Sequence, residues 1–107
     1  MNEIDAATQI LCAAKTAHKE RMKTNVEQLV VRTMHNLAES IKTAEVGVEV
    51  VQVRMEDFRN ECDIVFIEFC NIMNQKLGPD LSIFWRSGHG IKKDYASVGL
   101  NISAFRT

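Results

Sequence analysis

The chain has 107 residues, of which 46% are hydrophobic and 25% are charged, and its formal net charge is −1 at pH 7. These values are ordinary for a soluble globular protein made of one domain, residues 1–107. A net charge so close to zero provides no general attraction to nucleic acid or to anionic membranes, so neither is expected as a partner.

The N-terminal segment has no glycine or proline before Gly47 and carries apolar residues at intervals of three and four. That spacing predicts an amphipathic helix over residues 3–45. One continuous helix is favoured, although a break near Lys23 is an alternative because Thr24 and Glu27 have the spacing of a capping box. The apolar stripe comprises Ile4, Ala7, Leu11 and Ala14, followed by Val30, Met34, Leu37, Ile41 and Ala44.

A helix of this length has a consequence for assembly. At about 1.5 Å per residue it would be roughly 60 Å long, which is about twice the width of a compact domain of this size. Much of the stripe would then lack a partner within its own chain. We therefore expect a homo-oligomer in which residues 1–45 form a helical, coiled-coil-like oligomerisation segment and residues 46–107 form the body.

The next segment, residues 46–53, is rich in valine and partly alternating, which predicts a strand. A continuation of the first helix is the competing interpretation, because Val50 and Val53 keep helical spacing. Gly47 favours the strand, since glycine commonly ends a helix.

A second helix is expected over residues 57–77, with Asp57 as its N-cap and Gly78-Pro79 as its stop. Its broad apolar face is expected to form the core. That face comprises Phe58, Cys62, Val65, Phe69, Ile72, Met73 and Leu77.

Residues 81–85 and 98–104 alternate and predict a β-hairpin. Its connection is either a tight turn at residues 88–90, with residues 91–95 extending the second strand, or a loop of about nine residues. The order of helix, strand, helix and hairpin predicts an α+β domain whose helices cover one face of a small, mainly antiparallel sheet.

Side chains suited to binding an anion are concentrated between the two hairpin strands. Arginine can grip a phosphate or carboxylate with two hydrogen bonds, lysine adds charge, and the glycines beside His89 let backbone amides approach a ligand. The competing interpretation is a solvated hairpin end, with Trp85 in the core. The candidate ligand-binding residues are Trp85, Arg86, Ser87, His89, Lys92, Lys93 and Tyr95.

The basic run of the first helix, the histidines and the cysteines give weaker indications of a functional site. The basic run Lys15, His18, Lys19, Arg21 and Lys23 fits either an anion site between subunits or simply the solvated face of a helix. Neither the histidines nor the cysteines have metal-ligand spacing, so no metal or cofactor is expected. The odd number of cysteines, Cys12, Cys62 and Cys70, indicates reduced thiols in a cytoplasmic protein.

Taken together, these features predict a non-enzymatic homo-oligomer that binds a small anionic ligand, such as a nucleotide, through residues 85–95. One alternative is a small protein-binding regulator or inhibitor that acts through its long helix or a sheet edge. A third is a small enzyme that uses His89 as a base.

Overall fold

A computed structural model describes residues 2–103. The elements are helix α1 (Glu3–Thr43), strand β1 (Val50–Met55), helix α2 (Ile64–Leu77), strand β2 (Leu81–Arg86) and strand β3 (Tyr95–Asn101). The strands form one antiparallel sheet in the order β1-β3-β2, and both helices pack on the same face of it. The predicted α+β fold is confirmed.

Helix α1 is continuous over 41 residues, so the favoured prediction of a single helix is correct and there is no break near Lys23. The side chain of Asn2 caps it by accepting a hydrogen bond from the backbone N–H of Asp5 at 2.8 Å. Thr24 lies inside the helix, where its hydroxyl donates to the backbone oxygen of Glu20 at 3.0 Å. The capping-box spacing is therefore not used as a helix start.

Burial divides α1 into two unlike halves. In the C-terminal half, Leu37 is only 2% exposed, whereas in the N-terminal half Ile4 and Ile10 are 73% and 72% exposed. Half of the predicted stripe is thus covered by the chain's own body, and the molecule is elongated, with extents of 69 × 38 × 20 Å. Long as α1 is, no helix within residues 2–103 is apolar enough to cross a membrane. The buried residues of α1 are Val26, Leu29, Val30, Thr33 and Leu37.

The core lies between the helices and the inner face of the sheet. Phe69 and Met73 of α2 are fully buried against it, as are Ala96 and Val98 of the central strand β3. Phe58 joins this cluster from the loop before α2, with its ring 5.0 Å from that of Phe66. Truncating one of these buried phenylalanines to alanine would cost about 3–5 kcal/mol of stability.

Strand β1 begins later than predicted. It starts at Val50 rather than residue 46, although the choice of strand over helix is correct. Residues 46–47 form a turn in which Gly47 has a φ of 101°, and the backbone N–H of Val48 donates to the oxygen of Glu45 at 3.2 Å. Positive φ is accessible to glycine, so Gly47 supports this turn and the strand begins after it. Gly47 is not the stop of α1, as the sequence suggested, because the helix already ends at Thr43 with Ala44 as its C-cap.

Helix α2 also begins later than predicted, and Asp57 is not its N-cap. The cap is Asp63, whose carboxylate accepts from the backbone N–H of Val65 at 3.0 Å. Asp57 is instead paired with Arg32 of α1. An Asx turn, in which the Asn60 side chain accepts from the Cys62 N–H at 2.8 Å, occupies the residues between. Cys62 is consequently exposed and lies outside the helical core face to which it was assigned.

The hairpin connection is the open loop, residues 87–94, rather than the tight turn. Strand β3 begins at Tyr95, which pairs with Arg86, and it ends at Asn101. Ile102 is buried beyond the strand, and its N–H donates to the oxygen of Glu49 at 2.7 Å. Ala104, the last residue of the predicted strand, lies outside the described residues.

Substitutions at the two aspartates should separate their roles. Asp63→Ala should lower the free energy of unfolding by about 1–2 kcal/mol, because it removes a helix cap. Asp57→Ala should cost less than about 1 kcal/mol, because its partnership with Arg32 is solvent-exposed. Urea denaturation of both variants measures the difference, and a larger loss for Asp57→Ala would contradict the assignment of the cap.

Candidate functional site

The sheet presents its second face to solvent. Side chains alternate along each strand, so the residues that do not point towards the helices share this open face. Across it, Arg54 of β1 pairs with Ser97 of β3, which in turn pairs with Phe84 of β2. The open-face positions are Val50, Gln52, Arg54, Ser82, Phe84, Arg86, Tyr95, Ser97, Gly99 and Asn101.

Where this face meets the loop of residues 87–94, there is an open concavity of about 830 Å³, which we call the loop-end concavity. The predicted binding residues all line it, so residues chosen from one stretch of sequence do converge in space. They are Trp85, Arg86, Ser87, His89, Lys92, Lys93 and Tyr95. Gly88, one of the glycines noted beside His89, also lines it, whereas sequence reasoning missed Gln52, Arg54, Glu56 and Ser97.

Arg54 is the most informative of the missed residues because it adds a cation from a different strand. Its guanidinium lies over the ring of Tyr95, 3.9 Å from the ring centroid, and 3.8 Å from the carboxylate of Glu56. Arg86 lies over Phe84 at 5.6 Å in a looser contact of the same kind. Stacking uses the flat face of a guanidinium and leaves its N–H edge able to bind an anion.

Two hydrogen bonds within the loop hold it in shape. The N–H of Gly88 donates to the carboxylate of Asp94 at 2.7 Å, and the N–H of Lys92 donates to the oxygen of His89 at 3.2 Å. Gly88 has no space for a side chain, since a Cβ there would lie 2.1 Å from the oxygen of Lys92. This folding back places both lysines, Lys92 and Lys93, on the same concavity as Arg86.

The two aromatic residues of the segment have different surroundings. Trp85 is half-buried and its ring makes an edge contact with Phe66 of α2 at 5.4 Å, so its ring belongs to the helix-covered side. Tyr95 lies on the open face beneath Arg54. Tyr95 is therefore the aromatic residue available beside a bound ligand, while Trp85 anchors the wall of the concavity to the core.

The charges of the concavity are unbalanced. Arg54, Arg86, Lys92 and Lys93 contribute cations, whereas Glu56 is the carboxylate among its lining residues. Cations held close together repel one another, and a bound anion relieves that repulsion. The arrangement is thus electrostatically suited to an anion.

A second groove of about 750 Å³ runs between the middle of α1 and the loop before α2. Of the basic run in α1, His18 and Arg21 line this groove, whereas Lys15, Lys19 and Lys23 do not. Its other charged residues are Arg32, Asp57, Arg59 and Asp63.

The thiols and imidazoles are dispersed. Cys12 and Cys62 are exposed, and Cys70 is partly buried. Within residues 2–103, no group of three or more histidine, cysteine or acidic residues is placed to hold a metal ion. His89 is exposed on the loop.

No protein-family model, no curated protein and no solved structure matches this chain.

Gly88→Ala should rearrange the loop, because the added Cβ would collide with backbone rather than with a flexible side chain. Amide NMR shifts should change throughout residues 87–94, with a small change in melting temperature. Gly90→Ala is the control: its φ of 64° makes alanine strained by roughly 1–2 kcal/mol, but a Cβ there has nothing within 4 Å. Equally local shifts in both variants would contradict the close packing at Gly88.

Cys70 should be alkylated by iodoacetamide more slowly than Cys12 or Cys62. Burial raises the pKa of the Cys70 thiol, so less of it is thiolate at a given pH, and the thiolate is the reactive form. Peptide mass spectrometry over a time course measures the three rates. Denaturant should bring the rates together, and a fast Cys70 in the folded protein would contradict this prediction.

Proposed function

We propose that this protein is a non-enzymatic binding protein that holds a small anionic ligand, nucleotide-like in size and charge, in the loop-end concavity. The observation that carries the proposal is the convergence of cations from separate parts of the chain. Arg54 comes from β1, Arg86 from β2, and Lys92 and Lys93 from the loop.

The types of residue suit phosphate in particular. The two arginines supply planar donors and the lysines supply point charges, a combination that neutralises a group carrying several oxygens. The volume of about 830 Å³ falls within the range common for small-molecule sites. The stacked pair of Arg54 and Tyr95 adds a flat surface against which a planar base can pack.

In this proposal His89 and Ser87 supply hydrogen bonds at the rim, and no catalytic residue, metal or cofactor is assigned. A cytoplasmic location is part of the proposal, and it is supported by the free thiols of Cys12, Cys62 and Cys70.

Calorimetric titration with ATP, adenosine and inorganic tripolyphosphate tests the proposal. ATP and tripolyphosphate should bind, adenosine should bind much more weakly, and affinity should fall as salt is added. The paired change Lys92→Gln/Lys93→Gln, and separately Arg86→Gln, should each weaken ATP binding by about ten- to a hundred-fold, because each removes charge-assisted contacts.

The matched control is Lys42→Gln/Lys76→Gln, which removes the same charge from exposed positions outside the concavity. It should leave the affinity within about two-fold, which corresponds to less than 0.5 kcal/mol. Equal losses in the control and in the Lys92/Lys93 variant would mean that binding follows overall charge, and the site assignment would fail. Absence of binding by all three compounds would overturn the nucleotide-like class.

A further inference from the structure

The N-terminal half of α1 has a wide apolar face that nothing in residues 2–103 covers. At roughly 100° per residue, its apolar side chains occupy about half of the helix circumference. The opposite half carries polar residues such as Asp5, Gln9 and Lys15. The members of the apolar face are Ile4, Ala6, Ala7, Ile10, Leu11, Ala13, Ala14 and Ala17.

This face does not continue the face that the body covers. On the same helical projection, it is rotated by roughly two-fifths of a turn from the side carrying Val26, Val30 and Leu37. The side of α1 that faces the core is therefore not the side that carries the N-terminal apolar face. An exposed apolar face of this extent is typical of a site for another protein surface.

The charge pattern indicates which surface fits. Glu3 lies on this face at the start of the segment and Arg21 lies on it at the other end, whereas Asp5, Lys19, Glu20 and Lys23 project from the polar side. Two copies aligned in parallel would place like charges together. Two antiparallel copies would place Glu3 of each beside Arg21 of the other, and their helix dipoles would also be opposed.

The residues along the middle of this face have a self-complementary order. Glu3, Ala7, Ile10, Ala14, Ala17 and Arg21 are spaced alternately by four and three, the spacing of a coiled-coil seam. The sequence positions of the row are symmetric about position 12. In an antiparallel pair, each Glu3 meets the partner's Arg21, Ala7 meets Ala17, and the large Ile10 meets the small Ala14.

We propose that this chain forms a two-fold symmetric dimer in which residues 3–21 of α1 pack antiparallel against the same segment of a second copy. An isologous contact of this kind closes on itself, so it stops at the dimer. The alanines allow the two helices to approach closely, and Ile4, Ile10 and Leu11 supply most of the apolar area that becomes buried.

The groove beside the middle of α1 supplies arginines at the place where the partner's helix would begin. Antiparallel pairing brings the acidic start of the partner's helix next to Arg21, which lines that groove together with Arg59. The carboxylates of the groove are already engaged, since Asp57 pairs with Arg32 and Asp63 caps α2. Its arginines Arg21 and Arg59 are therefore well placed for the partner's Glu3.

A first experiment compares two adjacent glutamate substitutions by sedimentation equilibrium over micromolar to millimolar concentrations. Ile10→Glu places a charge in the seam and should weaken dimerisation by about a hundred-fold or more. Gln9→Glu adds the same side chain on the polar side and should leave the dimer intact. Circular dichroism checks that both variants are folded. A monomeric parent protein, or equal association of both variants, would overturn the proposal.

A second experiment establishes the direction of pairing. Ala7→Cys and Ala17→Cys are introduced together after Cys12→Ser, Cys62→Ser and Cys70→Ala remove the native thiols. The two positions are about 15 Å apart along one helix, too far to bridge within a chain. After oxidation, trypsin cleavage at Lys15 should give disulfide links between the peptide containing position 7 and the one containing position 17. Links that join only position 7 to position 7 and position 17 to position 17 would show a parallel dimer and overturn the proposal.

Discussion

The architecture depends on the burial of the C-terminal half of α1 against α2 and the inner face of the sheet. Val26, Val30 and Leu37 contact a core that includes Phe69 and Met73, and each such side chain contributes about 1.5–3 kcal/mol when it is removed from water. Among the described residues, Thr33 is the buried polar residue of this contact between α1 and the core. Its hydroxyl donates a hydrogen bond to the backbone oxygen of Leu29 at 2.7 Å. Helix α1 can therefore pack on the core without burying an unpaired polar group.

Because the helices cover one face of the sheet, the strand register also determines which side chains lie on the open face. With strand alternation, every residue of β2 and β3 is assigned to the core or to the open face by the register of the central strand β3. Trp85 packs on Phe66 and its neighbour Arg86 reaches the loop-end concavity for this reason. A shift of the strand register by one residue would exchange the two side chains between the faces. The positions of the charged side chains on the open face therefore depend on the packing of the core.

The two surfaces of functional interest have no residue in common. The loop-end concavity is built from the sheet and loop, whereas the proposed dimer seam is confined to residues 3–21 of α1. In the proposed dimer each chain therefore keeps a complete concavity.

The amino-acid sequence by itself determined the features that depend on nearby residues. Helical spacing predicted α1 as one helix, Gly78-Pro79 predicted the end of α2, and the clustering of polar residues between 85 and 95 predicted most of the candidate site. These succeed because periodicity, capping and turn chemistry act over a few residues. The tertiary structure decided the rest: Arg32 engages Asp57 while Asp63 caps α2, and pairing with β3 brings Arg54 onto Tyr95. It also decided which apolar residues of α1 are covered, because burial depends on contacts between residues far apart in the chain, which local patterns do not encode.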